Sequence, residues 1–223
     1  MNGLIQIAGI MDREEAAMLV KAGVHQIGFP LKLAHHKEDL TEEDTGKIIR
    51  TLSSPSSAVL ITYLSKAEDI LRLCFRIGVR KVQLHGDVTV LELGRLKLLA
   101  PDITVIKSLI VKDHNSTELE SSAFELSPYV DAFISDTYDP VSGACGATGK
   151  THDWDISCRL VEISTKPIIL AGGLNPENVR RAILQVKPAG VDSHTGVEGP
   201  DGRKDISLVR SFVKEATAAF SHL

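Results

Sequence analysis

Two glycine-rich turns and a few acid–base side chains are where this chain could do chemistry. Leu170-Ala171-Gly172-Gly173-Leu174-Asn175 and Asp192-Ser193-His194-Thr195-Gly196-Val197-Glu198 each follow a short apolar run. Glycine has no Cβ, so the backbone N–H groups of such turns can close on an anion. Gly172, Gly173, Asn175, Ser193, Thr195 and Gly196 are therefore candidate phosphate ligands, with hydroxyl donors from Ser193 and Thr195. Gly172-Gly173 alone would serve equally well as a tight turn; the second turn favours the anion. Asp136 follows Phe133-Ile134-Ser135, where a carboxyl could give a proton to a substrate or merely cap a turn. His85 and His194 also follow apolar runs, and an imidazole with pKa near 6.5 suits proton transfer at neutral pH. His194 is the candidate general base. No closely spaced ligand pair such as His-x-His occurs, and neither a metal nor a cofactor is expected.

Short β-branched runs alternate with helical patterns along the whole chain. Strands are expected at Leu4–Ile7, Gln26–Phe29, Ala58–Thr62, Arg80–His85, Ile103–Leu109, Ala132–Ser135, Pro167–Leu170 and up to Asp192. Helices are expected from Asp12 to Gly23, from Thr41 toward Leu52 and from a capping box at Ser65 and Glu68 to about Gly78. More follow from about Val88 to Leu99, over Ser116–Leu126, around Trp154–Ile163, after Asn175-Pro176 and over Ile206–Phe220. Between Asp136 and Lys150 lies a long loop. Such alternation implies a parallel sheet, and eight units without a break favour closure into a single (β/α)8 TIM barrel spanning residues 1–223. No Gly-x-Gly-x-x-Gly follows the first strand, which speaks against a dinucleotide fold. The two glycine turns then fall after strands seven and eight, where barrels commonly bind phosphate.

Bulk properties agree. The hydrophobic share is 43% but the aromatic share only 4%, so the core must be aliphatic, as buried parallel strands require. A net charge of -4 without basic blocks argues against nucleic-acid or membrane partners, and the expectation is a soluble, cytoplasmic monomer or homodimer. Cys74 and Cys158 lie in helical patterns and read as core residues. Cys145, in Ser142-Gly143-Ala144-Cys145-Gly146-Ala147, sits on a loop that could cover the barrel mouth, where it could touch substrate or be incidental to a lid.

The sequence resembles the phosphoribosylanthranilate isomerase family of tryptophan biosynthesis over nearly its whole length. The matching strings include Ile7-Ala8-Gly9-Ile10, Val82-Gln83-Leu84-His85-Gly86 and Thr148-Gly149-Lys150-Thr151-His152-Asp153-Trp154. Val105-Ile106-Lys107, Leu170-Ala171-Gly172-Gly173-Leu174-Asn175-Pro176-Glu177-Asn178-Val179 and Gly196-Val197-Glu198 with Gly202-x-Lys204-Asp205 complete the set. The resemblance implies an aldose–ketose isomerase, an intramolecular oxidoreductase that converts a phosphoribosyl amine to an aminoketose phosphate by an Amadori rearrangement. It implies an acid at the end of strand six, which Asp136 matches, and a substrate-orienting or structural role for His85. It also implies a base cysteine at the end of strand one, where this chain has Ala8. Paired serines of the family correspond to His194-Thr195, and its carboxylate-binding arginine falls in Leu33-Ala34-His35-His36-Lys37-Glu38-Asp39, where Lys37 is the candidate replacement. These departures leave two other readings open: catalysis on a different sugar phosphate by an isomerase, epimerase or aldolase, or a non-catalytic phosphometabolite-binding barrel.

Overall fold

The computed structural model describes residues 3–33, 38–52, 58–112, 114–138 and 151–223. Eight parallel strands close into a barrel in chain order, each followed by a helix on the outside. The strands are β1 (Leu4–Ala8), β2 (Gln26–Pro30), β3 (Ala58–Thr62), β4 (Lys81–Leu84), β5 (Thr104–Val111), β6 (Ala132–Thr137), β7 (Ile168–Leu170) and β8 (Gly190–Ser193). The helices are α1 (Arg13–Lys21), α2 (Glu42–Thr51), α3 (Ala67–Ile77), α4 (Val90–Leu99), α5 (Ser116–Leu126), α6 (Trp154–Ile163), α7 (Val179–Val186) and α8 (Ile206–Phe220). The expected (β/α)8 barrel is the observed fold.

Alternation along each strand divides the core in two. Outward-facing Ile5, Ile7, Ile27, Leu60, Val82, Val105, Phe133 and Val191 pack beneath the helices in one large aliphatic cluster. Inside the barrel, Val59, Ile106, Ala132, Ile134, Ile169 and Ala171 form a smaller one. The rest of the interior is polar: Lys81 Nζ donates to Gln26 Oε1 (2.7 Å), Gln26 to Gln6 (3.0 Å) and Gln6 to Gln83 (2.8 Å). Because each buried amide meets a partner, this half-barrel tolerates polar groups that would otherwise cost about 1–3 kcal/mol each. The polar side leads directly to the mouth.

Several local expectations are corrected. Ser65 and Glu68 do not form a capping box: α3 starts after Lys66, and the Ala67 N–H donates instead to the buried Glu92 carboxylate of α4 (2.9 Å). Asn175-Pro176 does not open α7. The Asn175 side chain accepts from the N–H groups of Glu177 (2.9 Å) and Asn178 (3.2 Å), which closes a separate turn, and the helix begins at Val179. Strand β6 runs two residues beyond Ser135, so Asp136 lies within the sheet rather than in the following loop. Asp12 does cap α1, accepting from the Glu15 N–H (2.9 Å). The Glu15 carboxylate, however, accepts from Met11 N (2.8 Å) and from Lys204 N (3.0 Å), tying the first loop to the last.

Candidate active site at the barrel mouth

At the C-terminal ends of the strands lies a cavity of about 390 Å³, a size that suits a small metabolite. One wall is apolar, made by Met11, Pro30, Leu33 and Ile61, with Tyr63 beside it. The other wall carries His85, Asp136, Asp192, His194 and Glu198. A smaller adjoining recess is bounded by Gly172, Gly173, Leu174, Ser193, Thr195 and Gly196, and it shares Asp136, Asp192 and His194 with the larger one. The two glycine turns thus meet where the acid–base groups end.

Those turns interlock. Gly172 (φ +88) and Gly173 (φ +61) both adopt left-handed backbone, and a Cβ at Gly172 would lie 2.0 Å from Thr137 Oγ1. At Gly196 an added Cβ would meet the Leu174 carbonyl at 2.0 Å, and the Ser193 hydroxyl donates to that same carbonyl (2.7 Å). The Ser193 proton is therefore committed to joining the turns. Asn175 lines neither recess. Lys37 and Cys145 fall outside the described residues, as do His35 and His36.

Asp136 and Asp192 are both buried. Desolvation pushes the Asp136 carboxyl up to about 7; the Thr137 N–H, 2.7 Å from Oδ1, works against the shift and the negative charge of Asp192 adds to it. The Asp192 carboxyl is also pushed up to about 7 by burial, opposed by Gln6 as a hydrogen-bond donor and by the charge of Lys204. Asp192 is not among the candidates that the sequence offers. Its signal is a carboxyl near the end of an apolar strand, and it lines the same cavity as His194.

His194 stands beside the first strand. The β1–β8 ladder pairs Gln6 with Asp192 and ends at Ile7 with Ser193, and His194 follows in the turn after β8. Its ring occupies the space over Gly9, where an added Cβ would come within 2.0 Å of Nε2. Gly9 itself has φ +71, so two independent constraints require glycine there. Nε2 lies 3.5 Å from Glu198 Oε1, which also accepts from the buried Lys204 ammonium (2.6 Å). Across the mouth, His85 Nε2 and Gln83 Nε2 are 2.8 Å apart, so the amide donates and the ring accepts there, and Tyr63 lies 5.7 Å from the imidazole, ring to ring. The glutamine chain through the barrel thus ends by orienting His85.

Behind Asp136, His152 bridges Thr137 Oγ1 (3.0 Å) and Ser157 Oγ (2.7 Å), and Ser157 donates to Ser135 (3.1 Å). Burial lowers the His152 pKa to about 4, so the ring is neutral and fastens the start of α6 to the end of β6. A histidine depressed in the folded state costs stability as pH falls, because below about 6.5 the unfolded chain takes a proton that the folded chain refuses. His152→Gln is expected to flatten the loss of stability between pH 6.5 and 4, by on the order of 1–3 kcal/mol in urea titrations at the two pH values. An unchanged pH slope would remove His152 as its source.

The sequence model of N-(5'-phosphoribosyl)anthranilate (PRA) isomerase matches residues 5–215. The chain belongs to the phosphoribosylanthranilate isomerase family. The N-(5'-phosphoribosyl)anthranilate isomerase 2 of Methanosarcina mazei is 38% identical, over 97% of this chain and 95% of the relative. The enzyme of Methanothrix thermoacetophila is 33% identical over 94% and 96%. Among solved structures, phosphoribosyl anthranilate isomerase from Thermotoga maritima superposes with a TM-score of 0.82 at 29% identity, covering 98% of this chain and 100% of that one. Another isomerase structure contains reduced 1-(o-carboxyphenylamino)-1-deoxyribulose 5-phosphate and matches with a TM-score of 0.79 at 27% identity, over 98% and 100%. Ala8 lines the cavity at the end of β1, and the His194 ring lies over the neighbouring Gly9.

Proposed function

We propose that this chain catalyses the isomerisation of N-(5'-phosphoribosyl)anthranilate, with Asp136 as general acid and His194 as general base. The observation that carries the assignment is the His194 ring lying over Gly9, next to Ala8 at the end of β1, so the turn after β8 supplies a base where β1 has none. The phosphate sits in the recess between the turns at Gly172-Gly173 and Thr195-Gly196, and the aromatic ring lies on the apolar wall of Met11, Pro30, Leu33 and Ile61. Family membership favours this substrate over another sugar phosphate and over a non-catalytic binder.

The chemistry divides between the two groups. The substrate nitrogen expels the ring oxygen as Asp136 gives that oxygen its proton, and an iminium forms at C1. The iminium acidifies the hydrogen at C2, which His194 removes to leave an enolamine. Protonated His194 then returns a proton to C1 while Asp136 recovers one from the C2 hydroxyl, which gives the ketone. Glu198, 3.5 Å from the imidazole, stabilises the imidazolium during the interval. No net redox change occurs and both groups are restored.

The test is turnover. The purified chain should convert N-(5'-phosphoribosyl)anthranilate to 1-(o-carboxyphenylamino)-1-deoxyribulose 5-phosphate, followed as product formation with time. Inorganic phosphate should compete with substrate by filling the glycine recess. No product at any enzyme concentration would sink the substrate assignment.

A further inference from the structure

Asp192 has no part in the reaction as written above, yet it occupies the centre of the site. Extending the strand ladders one step beyond Ser135, Leu170 and Val191 sets Asp136, Ala171 and Asp192 in one row across β6, β7 and β8. All three face inward, and only the methyl group of Ala171 separates the two buried carboxyl side chains along that row. Asp192 Oδ1 is buried and has no hydrogen-bond partner among the described residues. Two like charges in such a place cannot both persist without cost, so the pair tends to hold a proton.

The surroundings decide which carboxyl carries it. Asp192 accepts from the Gln6 amide and feels the Lys204 ammonium, and both favour its ionised form. Among the described residues Asp136 accepts from the Thr137 N–H, and the charge that acts on it is that of Asp192. Other titratable groups approach from the neighbouring elements. His85, His194 and Asp39 line the same cavity, and Glu198 is paired with Lys204. On β5 the Lys107 ammonium donates to the Ser108 carbonyl (3.0 Å), and behind Thr137 the buried His152 stays neutral near pH 7.

We propose that Asp136 and Asp192 share a single proton, and that the ionised Asp192 keeps Asp136 in its protonated, proton-donating form at neutral pH. Asp192 is thus a positioning residue that acts through Asp136. The role depends on the isomerase reading for its consequence in catalysis, but the proton sharing itself does not. Burial is the larger cause of the raised Asp136 value, and the charge of Asp192 adds to it.

Two measurements test this. In the first, the pH dependence of kcat is followed for the wild type, Asp192→Asn and Asp192→Glu. The alkaline limb reports loss of the Asp136 proton. Removing the neighbouring charge should move that limb toward lower pH by about one unit, a tenfold loss at a pH on the limb, whereas Asp192→Glu should keep it close to the wild-type position. An unmoved limb in Asp192→Asn overturns the proposal. In the second, the protonated-carboxyl stretch of the unliganded wild type is titrated by infrared difference spectroscopy. Two separated steps are expected, of which Asp136→Asn removes the higher. A single step, or a higher step that survives Asp136→Asn, overturns the proposal even where Asp192→Asn fails to fold. Absence of turnover together with two infrared steps would defeat the reaction assignment and leave the shared proton standing.

Discussion

Asp136→Asn should lower kcat by about 10²–10⁴-fold while changing KM only a few-fold, because a positioned general acid contributes a factor of that size. The amide keeps the shape of the side chain and an oxygen to accept the Thr137 N–H now bonded to Oδ1, so the mouth should remain assembled. What is lost is the proton. The same substitution should act on stability in the opposite sense. A carboxyl held at about 7 in the folded state, against a model value of 3.8, stabilises the fold fully only at low pH. Between about pH 4 and 7 the unfolded chain releases that proton before the folded chain does, so stability is lost as pH rises through the folded value. Above pH 7 the wild type carries the buried charge and the variant does not. Asp136→Asn should therefore melt higher than wild type at pH 8 and close to it at pH 4. Turnover that survives the substitution would remove Asp136 from the acid role, and equal melting at both pH values would remove the buried charge.

Much of this arrangement is legible in the sequence, because the fold depends on periodic patterns and the site only partly does. Helix α8 has the bounds that its apolar spacing predicts, Ile206–Phe220, and α5 likewise runs over Ser116–Leu126. The apolar pattern stops short of the end of β6 because Ser135-Asp136-Thr137 is polar. Ser135 and Thr137 are satisfied by tertiary partners, Ser157 and His152, that lie 22 and 15 residues away in sequence and carry no local signal. The false cap at Ser65 has the same origin, since Glu92 from the next helix supplies the acceptor. Asp136 and His194 stand out as polar residues at strand ends. Asp192 hides inside a run that reads as the start of a glycine turn. Its meaning appears only when the ladders β6–β7–β8 bring it level with Asp136. Gln6 and Gln83 are similar: within their strands they interrupt an apolar pattern, and across the barrel they become partners.

His194→Ala should lower kcat by about 10²–10⁴-fold, and adding Ala8→Cys to that variant should recover part of the loss. The argument rests on adjacency. Position 8 faces the cavity at the end of β1, and the His194 ring lies over the neighbouring Gly9. A thiolate at position 8 would then approach the substrate from nearly the same side as the imidazole does. In the wild-type background the His194 ring lies over Gly9, so Ala8→Cys alone should add little and could crowd the ring. Removing the ring opens that space. The acid limb of the pH profile separates the two bases: exchanging the imidazole for a thiol in the double variant should move that limb to higher pH. Full activity in His194→Ala would show that the base lies elsewhere at the mouth. A double variant no better than His194→Ala would show that position 8 no longer reaches C2, and that the strand ends have shifted along with the base.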